Sequence, residues 1–178
     1  MTIKRLAIYC GSRMGNDKAF QQAATDLGQM LAKKGIGIVY GGSENGLMGL
    51  VAQAALEQGG EVIGVMPVGL THKETPLSGL TELQQVNSMH ERKQRMFDLV
   101  DAFVALPGGM GTLDELIEVL CWANMGHHQK PCVCLDVNNY WQPLFDLFAH
   151  IQKEGFAGRA APLLRASSAD EVISLLKL

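Results

Sequence analysis

Continuous apolar runs alternate with stretches of helical periodicity along the whole chain, and few of the runs interleave polar residues. That pattern marks strands buried on both faces, as in a parallel sheet covered by helices. The first strand is expected over residues 5–10, followed by a Gly-Ser-Arg loop. A helix over 18–34 then repeats Ala19, Ala23, Leu27, Met30 and Leu31 on one face, with Asn16 or Asp17 as cap and Gly35 as stop. A strand over 37–40, a helix over 46–58 closed by Gly59-Gly60, and a strand over 61–66 come next. Residues 68–81 keep no period and read as a long loop, of a kind often retained for function. Strands over 82–86, 102–106 and 131–137 then alternate with helices over 88–100, 112–124 and 140–154; Leu163-Leu164 and a helix over 169–176 close the series. The pattern predicts a single doubly wound, Rossmann-like α/β domain across residues 1–178, with a mostly parallel sheet of six or seven strands flanked by helices. Such sheets bind ligands beyond the carboxyl ends of their strands, where the strand order reverses.

Composition narrows the chemistry. The 178 residues carry 15 Lys+Arg against 18 Asp+Glu, a net charge of −3, with 47% hydrophobic and 19% charged residues. This is the balance of a folded globular chain, and it speaks against disorder and against electrostatic binding of nucleic acid. The opening apolar run is short and broken by Gly11, so a strand is expected there rather than a signal peptide, and no run approaches the ~20 residues of a membrane span. A cytoplasmic protein with no membrane partner is expected. Cys10, Cys121, Cys132 and Cys134 lack paired metal or redox spacing and read as buried thiols of a reducing compartment. His127-His128 read as a turn after a helix; with no HExxH or comparable cluster, neither a metal nor another cofactor is expected.

Three glycine-bearing loops follow strands. The strongest is Leu106-Pro107-Gly108-Gly109-Met110-Gly111-Thr112-Leu113-Asp114-Glu115, at the mouth of a helix. Glycines let the backbone approach an anion closely, and the unpaired N–H groups of a helix start favour phosphate. No Gly-Lys-Ser/Thr follows, and Leu113-Asp114 stand where a dinucleotide fingerprint needs a third glycine, so a monophosphate is the better match. Thr112 and Glu115 have the spacing of a capping box, which would explain the pair without catalysis. Their place beside an anion site gives Glu115 a functional reading as well. Weaker loops of the same kind are Gly11 to Gly15 and Gly41-Gly42-Ser43-Glu44-Asn45-Gly46. In the helix after Ser88, Met89, Arg92 and Met96 share a face, which puts Arg92 on a stripe expected to be buried. A buried guanidinium needs an anion, either an internal carboxylate or a ligand.

Pro107-Gly108-Gly109-x-Gly111-Thr112-x-x-Glu115, with Met89-His90-x-Arg92-Lys93 upstream, resembles the Lonely Guy family of cytokinin riboside 5′-monophosphate phosphoribohydrolases, whose members were long labelled lysine decarboxylases. The resemblance runs from Gly11-Ser12 through Tyr40-Gly41-Gly42 and Gly46-Leu47-Met48-Gly49 to Trp122 and Lys130-Pro131. It implies hydrolysis of the N-glycosidic bond of an adenosine-type nucleoside 5′-monophosphate, AMP or a cytokinin riboside monophosphate, releasing the free base and ribose 5-phosphate. By the resemblance, catalytic residues fall on Arg92 and Glu115. Substrate contacts fall on Glu74, Met89, Arg92 and Lys93, on Gly108, Gly109, Met110, Gly111, Thr112, Leu113, Asp114 and Glu115, and on the position of Cys121. Plant-like members commonly carry Thr at that last position, and Gln in place of Glu91. The resemblance also implies a homodimer, or a higher homo-oligomer, with the pocket near the subunit interface. The chemistry agrees: breaking the bond between the sugar and the base builds an oxocarbenium-like ribose, which a carboxylate stabilises. The alternative is a carrier of a phosphorylated ligand, since the same loop resembles that of molybdenum-cofactor carrier proteins. The Arg92 and Glu115 pair favours an enzyme, and no lysine setting for pyridoxal phosphate supports a decarboxylase.

Overall fold

The computed structural model describes residues 2–70, 74–157 and 163–178. Among these residues seven strands are seen: β1 (Arg5–Tyr9), β2 (Gly37–Tyr40), β3 (Val62–Pro67), β4 (Glu82–Val86), β5 (Ala102–Ala105), β6 (Cys132–Leu135) and β7 (Leu163–Ala166). They lie side by side in the order β4-β3-β2-β1-β5-β6-β7, and every pairing is parallel. Of the long loop expected over 68–81, residues 71–73 fall outside the described residues.

The alternation within each strand sorts the core into two layers. Leu6 and Ile8 of β1 with Val104 of β5 face one way, against α1 (Lys18–Lys33), α2 (Gly46–Leu56) and α6 (Ala169–Leu176). Ala7, Tyr9, Phe103 and Ala105 face the other way, against α3 (Met89–Asp98), α4 (Met110–Asn124) and α5 (Gln142–Lys153). α1 and α2 lie backbone to backbone at Gly28, where a Cβ would come within 2.3 Å of the Val51 carbonyl oxygen.

Asp17, rather than Asn16, caps α1, its carboxylate accepting from the Ala19 N–H at 2.9 Å. Ser88 caps α3 by accepting from the Glu91 N–H at 3.1 Å, and Glu91 reaches back to the Asn87 N–H at 2.8 Å. Glu91 is thus half of a reciprocal cap at the start of α3. Two helix starts differ from expectation. α4 begins at Met110, not Thr112, because the chain turns into the helix at Gly109, which occupies the capping position with extended φ/ψ. α5 begins at Gln142, with Trp141 in the capping position, not at Tyr140; the chain reaches it through two left-handed residues, Asn138 and Asn139 (φ 52° and 59°).

The strand order reverses between β1 and β5. There the Leu106 N–H still reaches the Tyr9 carbonyl at 2.9 Å and the Gly11 N–H the Pro107 carbonyl at 3.1 Å, before the two loops part and leave a crevice at the carboxyl edge of the sheet.

Candidate active site

The crevice is a cavity of about 550 Å³ walled by the loops after β1, β2, β5 and β6 and by the first turns of α3 and α4. Its floor is the glycine turn at the mouth of α4. A Cβ on Gly108 would strike Thr112 Oγ1 at 2.1 Å and the Gly11 nitrogen at 2.8 Å, so only glycine fits there. Gly109 and Gly111 face open space, with nothing within 4 Å of a built Cβ. The N-terminal amides of α4 have no intrahelical acceptors, and Gly109 offers no side-chain cap to cover them. A bare helix start bordered by glycines is a built anion cradle. The capping-box reading of Thr112 and Glu115 falls away, because Gly109 holds the capping position and Thr112 lies within the first helical turn.

One turn further in, Glu115 faces Arg92 across the cavity, Oε1 to Nη2 at 3.8 Å, with side chains only 12% and 8% exposed. Burial pushes the Glu115 carboxyl up to about 7, against the pull of the Arg92 charge; Asp114 and Glu118 push the same way as burial, and Lys93 opposes. A carboxyl at that level exchanges its proton near neutral pH, as general acid–base work requires. Arg92 is buried as its helical stripe predicted, although Met89, on the same stripe, is half exposed at the cavity. The Arg92 Nε has no partner among the described residues. Gly41 makes room for this guanidinium, since a Cβ there would overlap Nη2 at 1.8 Å.

Glu74 reaches the cavity because its loop is stitched to the glycine loop after β2. The Glu44 N–H donates to the Thr75 carbonyl at 3.0 Å, the Leu77 N–H to the Gly42 carbonyl at 2.9 Å, and Ser43 bridges Pro76. The Glu74 Oε2 is buried without a hydrogen-bond partner and lines the cavity. Arg13 lines the cavity from the weaker Gly11 to Gly15 loop, and Phe20 and Tyr140 line it without having been singled out from the sequence. Only Arg13 carried a signal, as the one charge in the first glycine loop; nothing in the local pattern points Phe20 or Tyr140 inward.

The family model described as "possible lysine decarboxylase" matches residues 48–177. A cytokinin riboside 5′-monophosphate phosphoribohydrolase of Rhodococcoides fascians is 46% identical over 156 residues, 87% of this chain and 79% of its own. The rice protein named LOG, of the same activity, is 42% identical over 176 residues, 98% of this chain and 73% of its own. The chain belongs to the Lonely Guy family. Among solved structures, the molybdenum cofactor binding protein of Rippkaea orientalis superposes with a TM-score of 0.73 over 99% of this chain and 97% of its own, at 24% identity, a likeness of fold.

Against the residue set that the Lonely Guy resemblance implied, the structure brings Glu74, Met89, Arg92, Gly108, Gly109, Met110, Gly111, Thr112, Asp114 and Glu115 to one cavity. It leaves three outside. Lys93 turns its ammonium to Asp114 at 3.0 Å and Glu118 at 3.1 Å. Burial lowers that ammonium's pKa and these two hydrogen bonds more than offset it, so the net shift is upward. Leu113 and Cys121 lie on the outer side of α4, because helical spacing carries them away from Thr112 and Glu115. Cys121 is exposed, which corrects the expectation of four buried thiols; Cys10, Cys132 and Cys134 are buried, and burial raises all three thiols. The two adjacent histidines do follow a helix, and His128 packs its ring edge-on against Phe97 and Phe103 while Nε2 lies 2.8 Å from the Val119 carbonyl oxygen.

Proposed function

We propose that this chain hydrolyses the N-glycosidic bond of adenosine-type nucleoside 5′-monophosphates, freeing the base and ribose 5-phosphate. One observation carries the reading: the buried Arg92–Glu115 pair stands one helical turn inside the bare, glycine-lined mouth of α4, on the same cavity. A nucleoside monophosphate seats its phosphate on the amides of residues 109–112. Three helical residues advance about 4.5 Å, so Glu115 then lies at the level of the ribose. The base extends toward the apolar wall of Leu47, Met48 and Met89, with the unpartnered Glu74 Oε2 there to accept from an amine of the base.

As the bond between sugar and base lengthens, positive charge grows on the ribose, and ionised Glu115 stabilises that charge or takes a proton from the attacking water. Arg92 favours the ionised form of Glu115 by its charge. The phosphate is a handle: its binding holds the sugar against the carboxylate, so a nucleoside without it reacts poorly. The names of the relatives at 42–46% identity support hydrolysis, whereas the carrier reading has the support of a likeness of fold alone.

The proposal includes a cytoplasmic home, in keeping with buried reduced thiols. It also includes a homodimer built on the outer face of α4. Among the described residues, no helix is long and apolar enough to cross a membrane.

The test is incubation of the purified protein with AMP, prenylated AMP, the other nucleoside monophosphates and adenosine, with chromatographic detection of free base. Release from adenine nucleotides, and little from adenosine, is expected. Tight binding of AMP with no base released assigns the cavity to a carrier.

A further inference from the structure

Tyr140 stands apart from the residues that the family resemblance brought forward. It sits just before α5, in the loop after β6, and its hydroxyl donates a hydrogen bond to the Gly108 carbonyl, in the middle of the anion turn. We propose that Tyr140 is a positioning residue for phosphate: by holding the Gly108 carbonyl, it sets the direction of the Gly109 N–H. The inference rests on the ribosyl-phosphate reading of the cavity and adds the residue that tunes it.

The argument begins with the peptide unit. In a trans peptide, the carbonyl of one residue and the N–H of the next point in opposite directions within one rigid plane. Fixing the Gly108 oxygen therefore fixes the Gly109 N–H. A Gly-Gly peptide needs such an anchor more than any other, because neither flanking residue has a side chain to bar the flipped orientation. On the Gly109 side nothing lies within 4 Å of a built Cβ, so no neighbour there takes over the role of the missing side chain.

The anchor is itself secured from several sides. The Tyr140 ring meets Phe20 edge-on at 5.5 Å and Trp141 edge-on at 5.0 Å. Phe20 in turn fits against Gly15, where a Cβ would come within 2.7 Å of the Phe20 ring. On the other side, the buried Asp136 carboxylate accepts from the Trp141 N–H at 2.7 Å and is paired to Arg165 at 2.5 Å. Asn138 donates to the Asp17 carboxylate at 2.7 Å, which ties the turn to the start of α1. The two left-handed asparagines, residues that tolerate this conformation better than most, bring the chain round so that Tyr140 faces the glycine turn. A loop this heavily braced, leading to one hydroxyl on one carbonyl, has the build of a support for the anion site.

The experiment separates the phosphate end of the ligand from its base end. Wild-type protein and Tyr140→Phe, which keeps the ring and its contacts, are titrated by calorimetry with ribose 5-phosphate and, separately, with adenine. Loss of one hydrogen bond that orients an amide predicts ribose 5-phosphate binding weakened about fivefold to tenfold, with adenine binding unchanged within about twofold. KM for AMP rises in step with the ribose 5-phosphate constant while kcat changes little. Equal weakening toward both ligands, or no change toward either, overturns the assignment and leaves the hydroxyl a structural contact. Wild-type protein that binds adenine but no ribose 5-phosphate overturns the ribosyl-phosphate reading itself, a distinct result.

Discussion

Glu115 combines two properties that seldom coexist cheaply: it is nearly enclosed, and it faces an arginine that is equally enclosed. Burial dominates, and the carboxyl titrates near 7 rather than at its usual 4.5. Because the folded protein holds this proton over a range where the unfolded chain has released it, stability falls as pH rises from about 4.5 to about 7. Glu115→Gln removes that dependence. Relative to wild type, the variant is expected to gain on the order of 2 kcal/mol between pH 5 and pH 8, read by denaturant unfolding at the two pH values. The same substitution should cut base release by about 10² to 10⁴-fold, since the glutamine can neither neutralise the sugar cation nor take a proton. In wild type, kcat/KM should fall as pH drops through about 7, the carboxylate being the active form. A variant that keeps full activity and the wild-type stability slope would make Glu115 an ordinary helix residue.

α4 carries two faces with separate duties. Its inner side supplies Thr112 and Glu115 to the cavity, while its outer side presents Met110, Leu113 and Ile117, with exposed Cys121 and Met125 further along. Met110 is 81% exposed at the edge of the cavity itself, so a second copy seated on this face would border the ligand. A second chain here would also enclose Cys121, which the single chain leaves in the open. Light scattering on a sizing column should therefore return twice the chain mass of 19.3 kDa, with Ile117→Glu shifting the protein toward the single chain. Wild-type protein eluting at the mass of one chain sets the dimer aside.

At the scale of elements, β1, β2, β3, β5 and β6 were legible as nearly continuous apolar runs with no competing period, as strands buried on both faces of a parallel sheet are. The edge strands β4 (Glu-Leu-Gln-Gln-Val) and β7 (Leu-Leu-Arg-Ala) are more polar and more exposed. Arg92 was legible as buried because helical spacing places it with Met96. The start of α4 was not, because the chain enters the helix at a glycine with no capping side chain to announce it. The outward turn of Lys93 depends on Asp114 and Glu118, which come from a different helix. Tyr140 was hidden for a related reason: its position is set by Asp136, Arg165, Phe20 and Asp17, residues from three separate parts of the chain.

For the molecule as a whole, the sheet reversal between β1 and β5 explains why so many loops meet at one place. Each strand end adjoining the reversal delivers its loop to the same crevice, and the α/β arrangement puts a helix start there as well. The central claim is that one bound molecule spans two features of this crevice, phosphate on the α4 amides and ribose against residue 115. Diffraction from crystals of Glu115→Gln soaked with AMP tests it directly, because the variant should hold the nucleotide uncleaved. The account predicts density for phosphorus against the backbone of residues 109–112, with the glutamine amide turned to the ribose. Phosphate found elsewhere in the crevice, or a ribose out of reach of residue 115, would contradict it.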